Sequence, residues 1–161
     1  MTTNGSQQIL VVAARALARD DDLASALSTM LDVVARTFGI GSAAIVAERR
    51  QGAGLEIIAA FGLDDRAAAG LSEAISLSTH PIARTFAARQ ATYDVAPVNP
   101  GGPALRSHLP LIVTRGGTKT VLGVLALAHD HPIDEGTRPI LEAVADLAAV
   151  AIERDATQPR R

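Results

Sequence analysis

Residues 107–128 read SHLPLIVTRGGTKTVLGVLALA, two apolar runs separated by the polar segment RGGTK. The β-branched residues in both runs favour an extended backbone. Between the runs, Gly116 and Gly117 can adopt the positive φ that a tight reversal of the chain requires. This segment therefore predicts a β-hairpin with its turn at Gly116-Gly117.

The second run of the hairpin has no polar face. Val121, Gly123, Leu125 and Leu127 alternate with Leu122, Val124, Ala126 and Ala128. A strand that is apolar on both sides is typical of a central position in a sheet that is covered on both faces. The glycine at position 123 indicates that another backbone or side chain approaches this strand closely.

A helix is predicted to follow the hairpin, over about residues 135–155. Beyond Asp134 the spacing between apolar residues lengthens from two to about three and a half. The residues that this spacing aligns on one face are Ile140, Val144, Leu147 and Ala151. We expect this face to pack on the sheet, each large apolar side chain contributing about 1.5–3 kcal/mol.

Two helices are predicted to precede the sheet. The first spans residues 6–18 and begins at Ser6, a residue type that caps helices well. The second spans 23–38, where apolar residues recur at helical spacing, and Gly39 ends it. Residues 1–5 are expected to be disordered.

The interior of the chain predicts short elements. In order they are strands at 43–49 and 55–61, helices at 64–74 and 81–89, and a strand at 91–95. His80 is expected to cap or flank the helix at 81–89. Prolines and glycines in the loop 96–106 exclude a regular helix or strand there. Whether this loop covers a pocket or only crosses the surface stays open, and the tail 156–161 is expected to be disordered.

The composition limits the classes of protein that the sequence can encode. With 161 residues, 48% of them apolar and 20% charged, the chain has the length and composition of one globular domain. A net charge of -2 without a block of lysine and arginine argues against binding to nucleic acid. No apolar run approaches the ~20 residues of a membrane span, and the pattern of a signal peptide is missing. We therefore expect a cytoplasmic protein with neither a membrane nor a nucleic-acid partner.

Two residue types are scarce or missing, and both bear on ligands. Aromatic residues make up 2% of the chain, whereas sites for flat ligands such as nucleobases or haem are usually lined by several. The chain has no cysteine, so it has neither a thiolate nucleophile nor a thiolate metal ligand. It also lacks a Gly-x-Ser-x-Gly elbow and a P-loop. The sequence thus predicts a non-enzyme with no catalytic residue, no metal and no cofactor.

The order of the elements and four short segments resemble the GAF domain family. The segments are ARQATYDV at 88–95, SHLPL at 107–111, LGVLAL at 122–127 and AAVAIE at 148–153. The resemblance implies an α+β fold over residues 22–155, with a central antiparallel β-sheet of five or six strands. It places the N- and C-terminal helices on one face and short helices and loops on the other. A PAS or roadblock-like domain is the alternative, against which the two leading helices and the Pro-Leu hairpin argue.

The sequence departs from the motifs of several GAF members. The missing cysteine excludes covalent bilin attachment, as in phytochrome-like members, and the thiol chemistry of GAF-type methionine sulfoxide reductases. The Asn-Lys-x-x-Phe signature of cyclic-nucleotide-binding members is absent after the last strand, where residues 128–132 read AHDHP. Ile133 stands where the family often has phenylalanine. The sequence therefore argues against bilins and cyclic nucleotides, which are common ligands of the family.

The resemblance places a ligand site between the sheet and the segment 81–108. The candidates for its lining are Phe61, Phe86, Tyr93, Asn99, Arg106 and His108. Arg106 is suited to pairing with an anionic ligand, with an exposed surface charge as the alternative. His129 and His131, two residues apart, could form a metal pair or simply end a strand at a turn, and no third ligand is identifiable.

The resemblance also implies a function, a sensor module of signal transduction without catalytic activity. The first and last predicted helices carry narrow apolar stripes, which predicts a homodimer formed through them. A small molecule would bind in the pocket, and the output would pass to a partner protein such as a kinase or regulator. The alternative is a ligand-free interaction scaffold whose pocket is filled by its own side chains.

Overall fold

The secondary structure follows the predicted order of helices and strands. The computed structural model describes residues 3–19, 22–49, 53–96 and 105–157, with the side chains of all of these except 3–7 and 19. The elements are α1 (Thr3–Arg19), α2 (Leu23–Phe38), β1 (Ser42–Glu48), β2 (Leu55–Phe61), α3 (Asp65–Ala74), α4 (Pro81–Ala88), β3 (Thr92–Val95), β4 (Leu105–Arg115), β5 (Thr118–His129) and α5 (Arg138–Thr157).

The five strands form one antiparallel sheet in the order β2-β1-β5-β4-β3. β5 lies at its centre, in agreement with the two apolar faces of that strand. β4 and β5 form the predicted hairpin, in whose turn Gly116 and Gly117 have φ values of 54° and 84°. The predicted α+β fold with a central antiparallel sheet of five or six strands is confirmed, and the sheet has five.

Gly123 of β5 lies against the backbone of β1. A Cβ atom at this position would lie 2.1 Å from the carbonyl oxygen of Val46. No side chain fits at that distance, so the close approach that glycine indicated is confirmed.

Helices α1, α2 and α5 cover one face of the sheet, which we call the helical face. The buried apolar residues there include Ile9 and Ala13 of α1, Leu27, Met30, Leu31 and Val34 of α2, Leu109, Leu111, Leu125 and Leu127 of the hairpin, and Leu141, Val144 and Ala148 of α5. α2 is capped at both ends, and its end at Gly39 is as predicted. The side chain of Asp22 accepts a hydrogen bond from Ser25 N, and Gly39 ends the helix with φ 69°.

The N-terminal helix is longer than predicted. α1 begins at Thr3, inside the stretch 1–5 that was expected to be disordered. Because α1 packs against α2 and α5, tertiary contact stabilises the helix and allows it to continue one turn beyond Ser6.

The C-terminal helix begins and ends later than predicted. The carboxylate of Asp134 accepts hydrogen bonds from Thr137 N at 2.9 Å and Thr137 Oγ1 at 2.7 Å, which holds residues 134–137 in a turn. α5 therefore starts at Arg138. It continues to Thr157, two residues into the predicted disordered tail, and residues 158–161 lie outside the described part.

Helices α3 and α4 cover the opposite face, which we call the α4 face. Ile75 and Ile82 are buried there against Val46 of β1 and Val124 of β5, with Phe86 packed on the same cluster. Within the described ranges, none of the helices is long and apolar enough to cross a membrane. The cytoplasmic location stays a prediction.

Candidate functional site

The α4 face of the sheet has two halves of different character. In one half, large side chains of the sheet pack against Ile82 and Phe86 of α4. In the other half, one row of neighbouring residues crosses all five strands and carries mostly small side chains. This row, the His108 row, consists of Ala60, Ala44, Ala126, His108 and Thr92. Three of its five side chains are alanine, and Ala44 and His108 are both buried.

His108 is the one large side chain of its row and is almost completely buried, with 3% of its surface exposed. Among residues 3–19, 22–49, 53–96 and 105–157, its Nδ1 atom has no hydrogen-bond partner, and no other buried side-chain nitrogen or oxygen there lacks one. Burial first, then repulsion from His80 when that ring is also protonated and from Arg106, lower the pKa of His108 to about 4. The ring is therefore neutral near pH 7 and has an unused polar atom.

His80 holds the start of α4 beside this row. The N–H of Ile82 donates to His80 Nδ1 at 3.1 Å, and Pro81 occupies the first turn of the helix. The predicted capping role of His80 is confirmed. Burial and the charge of Arg106 lower the pKa of His80, so this ring too is held neutral, with its proton on Nε2.

Arg106 supplies the positive charge of the site. It precedes His108 by two residues on β4, so the two side chains share the α4 face, and it lies opposite Ala128 of β5. Its charge contributes to the lowered pKa values of both His80 and His108. No carboxylate is among the groups that shift the pKa values of His80 and His108.

The structure brings together three of the six residues predicted to line the pocket. Phe86, Arg106 and His108 lie on the α4 face. Phe61 and Tyr93 instead pack against the core of the helical face. Asn99 lies outside the described residues.

Strand register explains the two displaced aromatic residues. Phe61 pairs with Ala43, which points to the helical face, and the guanidinium of Arg36 lies 5.7 Å from the Phe61 ring centroid. Thr92 pairs with His108, so its neighbour Tyr93 points the opposite way. Phe61 and Tyr93 therefore lie on the face of the sheet opposite to His108. Contact of any of the six residues with a ligand stays a prediction.

A polar clamp, which the sequence analysis missed, ties β3 to the start of α5. Asp94 has a φ of 58°, and its carboxylate accepts hydrogen bonds from Ile133 N at 2.9 Å and Arg138 Nη2 at 3.1 Å. The Arg138 guanidinium also lies 4.4 Å from the ring centroid of Tyr93. The hydroxyl of Tyr93 donates to Glu142 at 2.7 Å, and burial followed by this hydrogen bond raises the pKa of Tyr93. In the sequence, the clamp is indicated only by Asp94, the aspartate of the Asp-Val motif that ends the strand.

Ser107 and His129 form a second polar pair, buried beside the clamp. The His131 carbonyl can only accept, so His129 Nδ1 carries the proton and donates to it at 2.7 Å. His129 Nε2 then accepts from the Ser107 hydroxyl at 2.8 Å, and Ser107 Oγ accepts from Asp94 N at 3.1 Å. Both ring nitrogens of His129 therefore have hydrogen-bond partners within the protein. Neither is available to bind a metal together with His131.

Two cavities lie away from the His108 row. One, of about 420 Å³, is a groove between α1, α2 and α5, and its lining includes Leu17, Leu23 and Val150. The other, of about 290 Å³, lies between β4 and α5 and is lined by residues that include Pro110 and Glu142. Neither is lined by His108.

The domain thus has one antiparallel sheet, with the terminal helices on one face and short helices on the other. Residues 22–154 match the family model of the GAF domain. The chain belongs to the GAF domain family, as its hairpin motifs indicated. Among curated protein sequences, none matches it.

Solved structures agree with this assignment. The chain is similar to the GAF domain of a phosphoenolpyruvate-protein phosphotransferase from Acinetobacter, with 14% identity, 99% of each chain covered and a TM-score of 0.79. It is also similar to the GAF domain of a phosphoenolpyruvate-protein phosphotransferase from Coxiella burnetii, with 13% identity and a TM-score of 0.76. That match covers 96% of this chain and 97% of the other. A free methionine-R-sulfoxide reductase from Neisseria meningitidis is similar at 16% identity, with 94% and 92% covered and a TM-score of 0.73. At these identities the similarity shows the fold alone.

Proposed function

We propose that this domain is a non-catalytic sensor module that binds a small molecule over the His108 row. The observation that carries the proposal is the buried His108 Nδ1 atom, which has no partner in the described protein and lies in a row that also holds three alanines. A buried polar atom without a partner costs about 1–3 kcal/mol. A ligand that bonds to it would recover that free energy, which is a reason for the chain to keep histidine here.

We infer that the domain is not an enzyme because the residues that catalysis would need are missing or already bonded within the fold. A structural neighbour is a free methionine-R-sulfoxide reductase, but thiol chemistry requires cysteine and these 161 residues contain none. Ser107 and His129, which have the residue types of a hydrolytic pair, are both buried and bonded within the fold. GAF domains generally have regulatory roles, and we extend that role to this chain.

The terminal helices would carry the signal through a homodimer. Val11 and Val12 on α1 and Val150 on α5 are exposed apolar residues, and Val150 lines the groove between the two helices. A second copy that covered these residues would remove their apolar surface from water. The clamp at Asp94 connects the strand next to His108 with α5, so a ligand there could alter the dimer and a kinase or regulator bound to it.

A screen of thermal stability tests the ligand proposal. Wild-type protein and His108→Leu are each heated with members of a library of water-soluble metabolites. We expect at least one compound to raise the Tm of the wild type by several degrees and to leave that of His108→Leu unchanged. A compound that stabilises both proteins equally binds elsewhere and contradicts the proposed site.

A ligand-free scaffold is the second candidate function. It is favoured by one observation, that neither of the two cavities described above is lined by His108. In that case no library compound raises the Tm of the wild type, and native mass spectrometry of the purified protein gives only the mass of the bare chain.

A further inference from the structure

The His108 row is closed to solvent, and α4 is one of the elements on that side of the sheet. Ala44, His108 and Ile82 have exposed fractions of 2%, 3% and 1%. The helix contacts both β4 and β5, and Ile82 anchors it in the apolar cluster of the α4 face. A molecule can therefore reach His108 Nδ1 only if an element that covers this face moves.

The start of α4 depends on the protonation state of His80. The N–H of Ile82 donates to His80 Nδ1 at 3.1 Å, so this nitrogen must carry a free lone pair. A protonated imidazole has hydrogen on both ring nitrogens and cannot accept the bond. Protonation of His80 thus removes the cap of a helix that has only eight residues, a length at which helices depend on such contacts.

The surroundings of His80 and His108 in the closed protein oppose protonation of both rings. Burial lowers both pKa values most, and the positive charge of Arg106 on β4 lowers both further. The two rings also oppose each other, because a charge on His80 disfavours a second charge on His108. The residues that pair with His108 on the neighbouring strands are Ala126 and Thr92, neither of which is charged.

The remaining charged groups of α4 and of the end of β5 do not change this balance. Arg84 and Arg89 of α4 are exposed. Asp130, which follows β5, has a partner within the protein and is not among the groups that shift the pKa of His80 or His108. The closed protein therefore favours the neutral form of both rings.

We propose that α4 is an acid-sensitive cover, which leaves the sheet and exposes the His108 row when His80 and His108 take up protons. In the open form both rings lie in water and have the ordinary histidine pKa near 6.5. Below that pH the open form binds protons that the closed form does not, so a falling pH favours opening. Each proton taken up raises the opening equilibrium constant up to about tenfold per pH unit. No ligand is needed for this movement, which would also admit one.

Amide hydrogen exchange of the full chain, followed by NMR at pH 7 and pH 5, tests the proposal. Rates are expressed as protection factors, which removes the intrinsic effect of pH on exchange. We expect the protection of Arg84 N and Phe86 N in α4 to fall at least about tenfold between the two pH values. Leu31 N in α2 should stay better protected than both, because opening of α4 leaves α2 folded. Equal protection of α4 and α2 at pH 5 would overturn the separate opening of α4.

Variants assign the effect to the two histidines. His80→Ser keeps an oxygen that caps the helix but does not titrate in this range, and His108→Leu removes the other proton site. Each single variant should show a smaller fall in the protection of α4 than the wild type, and the double variant a fall of no more than about twofold. His131→Ala, at an exposed histidine, is the matched control and should keep the full fall. A Tm measurement shows that each variant folds.

Two results would contradict the acid-sensitive cover. One is wild-type protection of α4 that does not change between pH 7 and pH 5. The other is a fall in the double variant as large as that in the wild type, which would assign the effect to other groups. Since these measurements use no added compound, either result would leave the proposed ligand binding to be decided by the thermal screen.

Discussion

Single residues of the sheet test how closely its strands pack. In Gly123→Ala the new methyl group would lie 2.1 Å from the Val46 carbonyl oxygen, so β1 and β5 must separate. We expect a loss of about 3 kcal/mol in the free energy of unfolding, measured by urea denaturation. Gly70→Ala is the matched control, because Gly70 lies inside α3 with no atom within 4 Å of the added carbon. That change should stabilise the protein by about 0.5–1 kcal/mol, and an equal loss in both variants would contradict this account of β5.

His108 makes stability depend on pH in a defined direction. Its pKa is about 4 in the folded protein and about 6.5 in an unfolded chain. Between these values the unfolded chain binds a proton that the folded protein does not, so stability falls as the pH decreases from 6.5. The loss attributable to His108 reaches about 3 kcal/mol by pH 4.

His108→Leu removes both this titration and the unpaired Nδ1 atom. At pH 7 we expect the variant to equal or exceed the wild type in free energy of unfolding, because a buried polar atom without a partner is lost. Its stability should also decline less between pH 7 and pH 4.5. Urea denaturation at the two pH values measures both effects, and identical pH dependence in the two proteins would show that His108 is not buried as described.

At the scale of elements, the clamp determines how β3 is held to α5. Asp94→Ala removes the acceptor for Ile133 N and Arg138 and leaves a residue that poorly tolerates the φ of 58°. We expect a loss of about 2 kcal/mol and faster hydrogen exchange at Ile133 N. Asp94→Asn keeps an amide oxygen for Ile133 and tolerates this φ, so it should lose only about half as much. Unchanged exchange at Ile133 in the alanine variant would count against the clamp.

The elements were largely predictable from the sequence because their signals are local. The Gly116-Gly117 turn, the helical spacing in 23–38 and the two apolar faces of β5 each depend on a few neighbouring residues. The clamp was not predictable, since Asp94 and Arg138 are 44 positions apart in the sequence and meet only in the folded chain. The faces of Phe61 and Tyr93 depend on the pairings Ala43–Phe61 and Thr92–His108, which periodicity within one strand does not provide. His108 was predicted to line a pocket, which stays a prediction, and its buried nitrogen and its row of alanines became visible only with the register of the sheet.

For the whole molecule, the proposed dimer predicts a concentration-dependent mass. Val150 is 50% exposed on α5, so Val150→Asp should not disturb the core but would place a charge in the proposed interface. We expect wild type to sediment as a dimer at high micromolar concentration and Val150→Asp as a monomer. Leu77→Asp, at a residue 60% exposed after α3, should remain dimeric. Sedimentation equilibrium that gives only monomer for the wild type would exclude the dimer.

The central claim is that a small molecule binds over the His108 row, and a crystal structure of a complex tests it most directly. Wild-type protein would be crystallised with a compound that raises its Tm and has no effect on His108→Leu. The account predicts density for the compound between α4 and β4, with one of its polar atoms within hydrogen-bonding distance of His108 Nδ1. Density only in the groove between α1 and α5, with Nδ1 still lacking a partner, would contradict it.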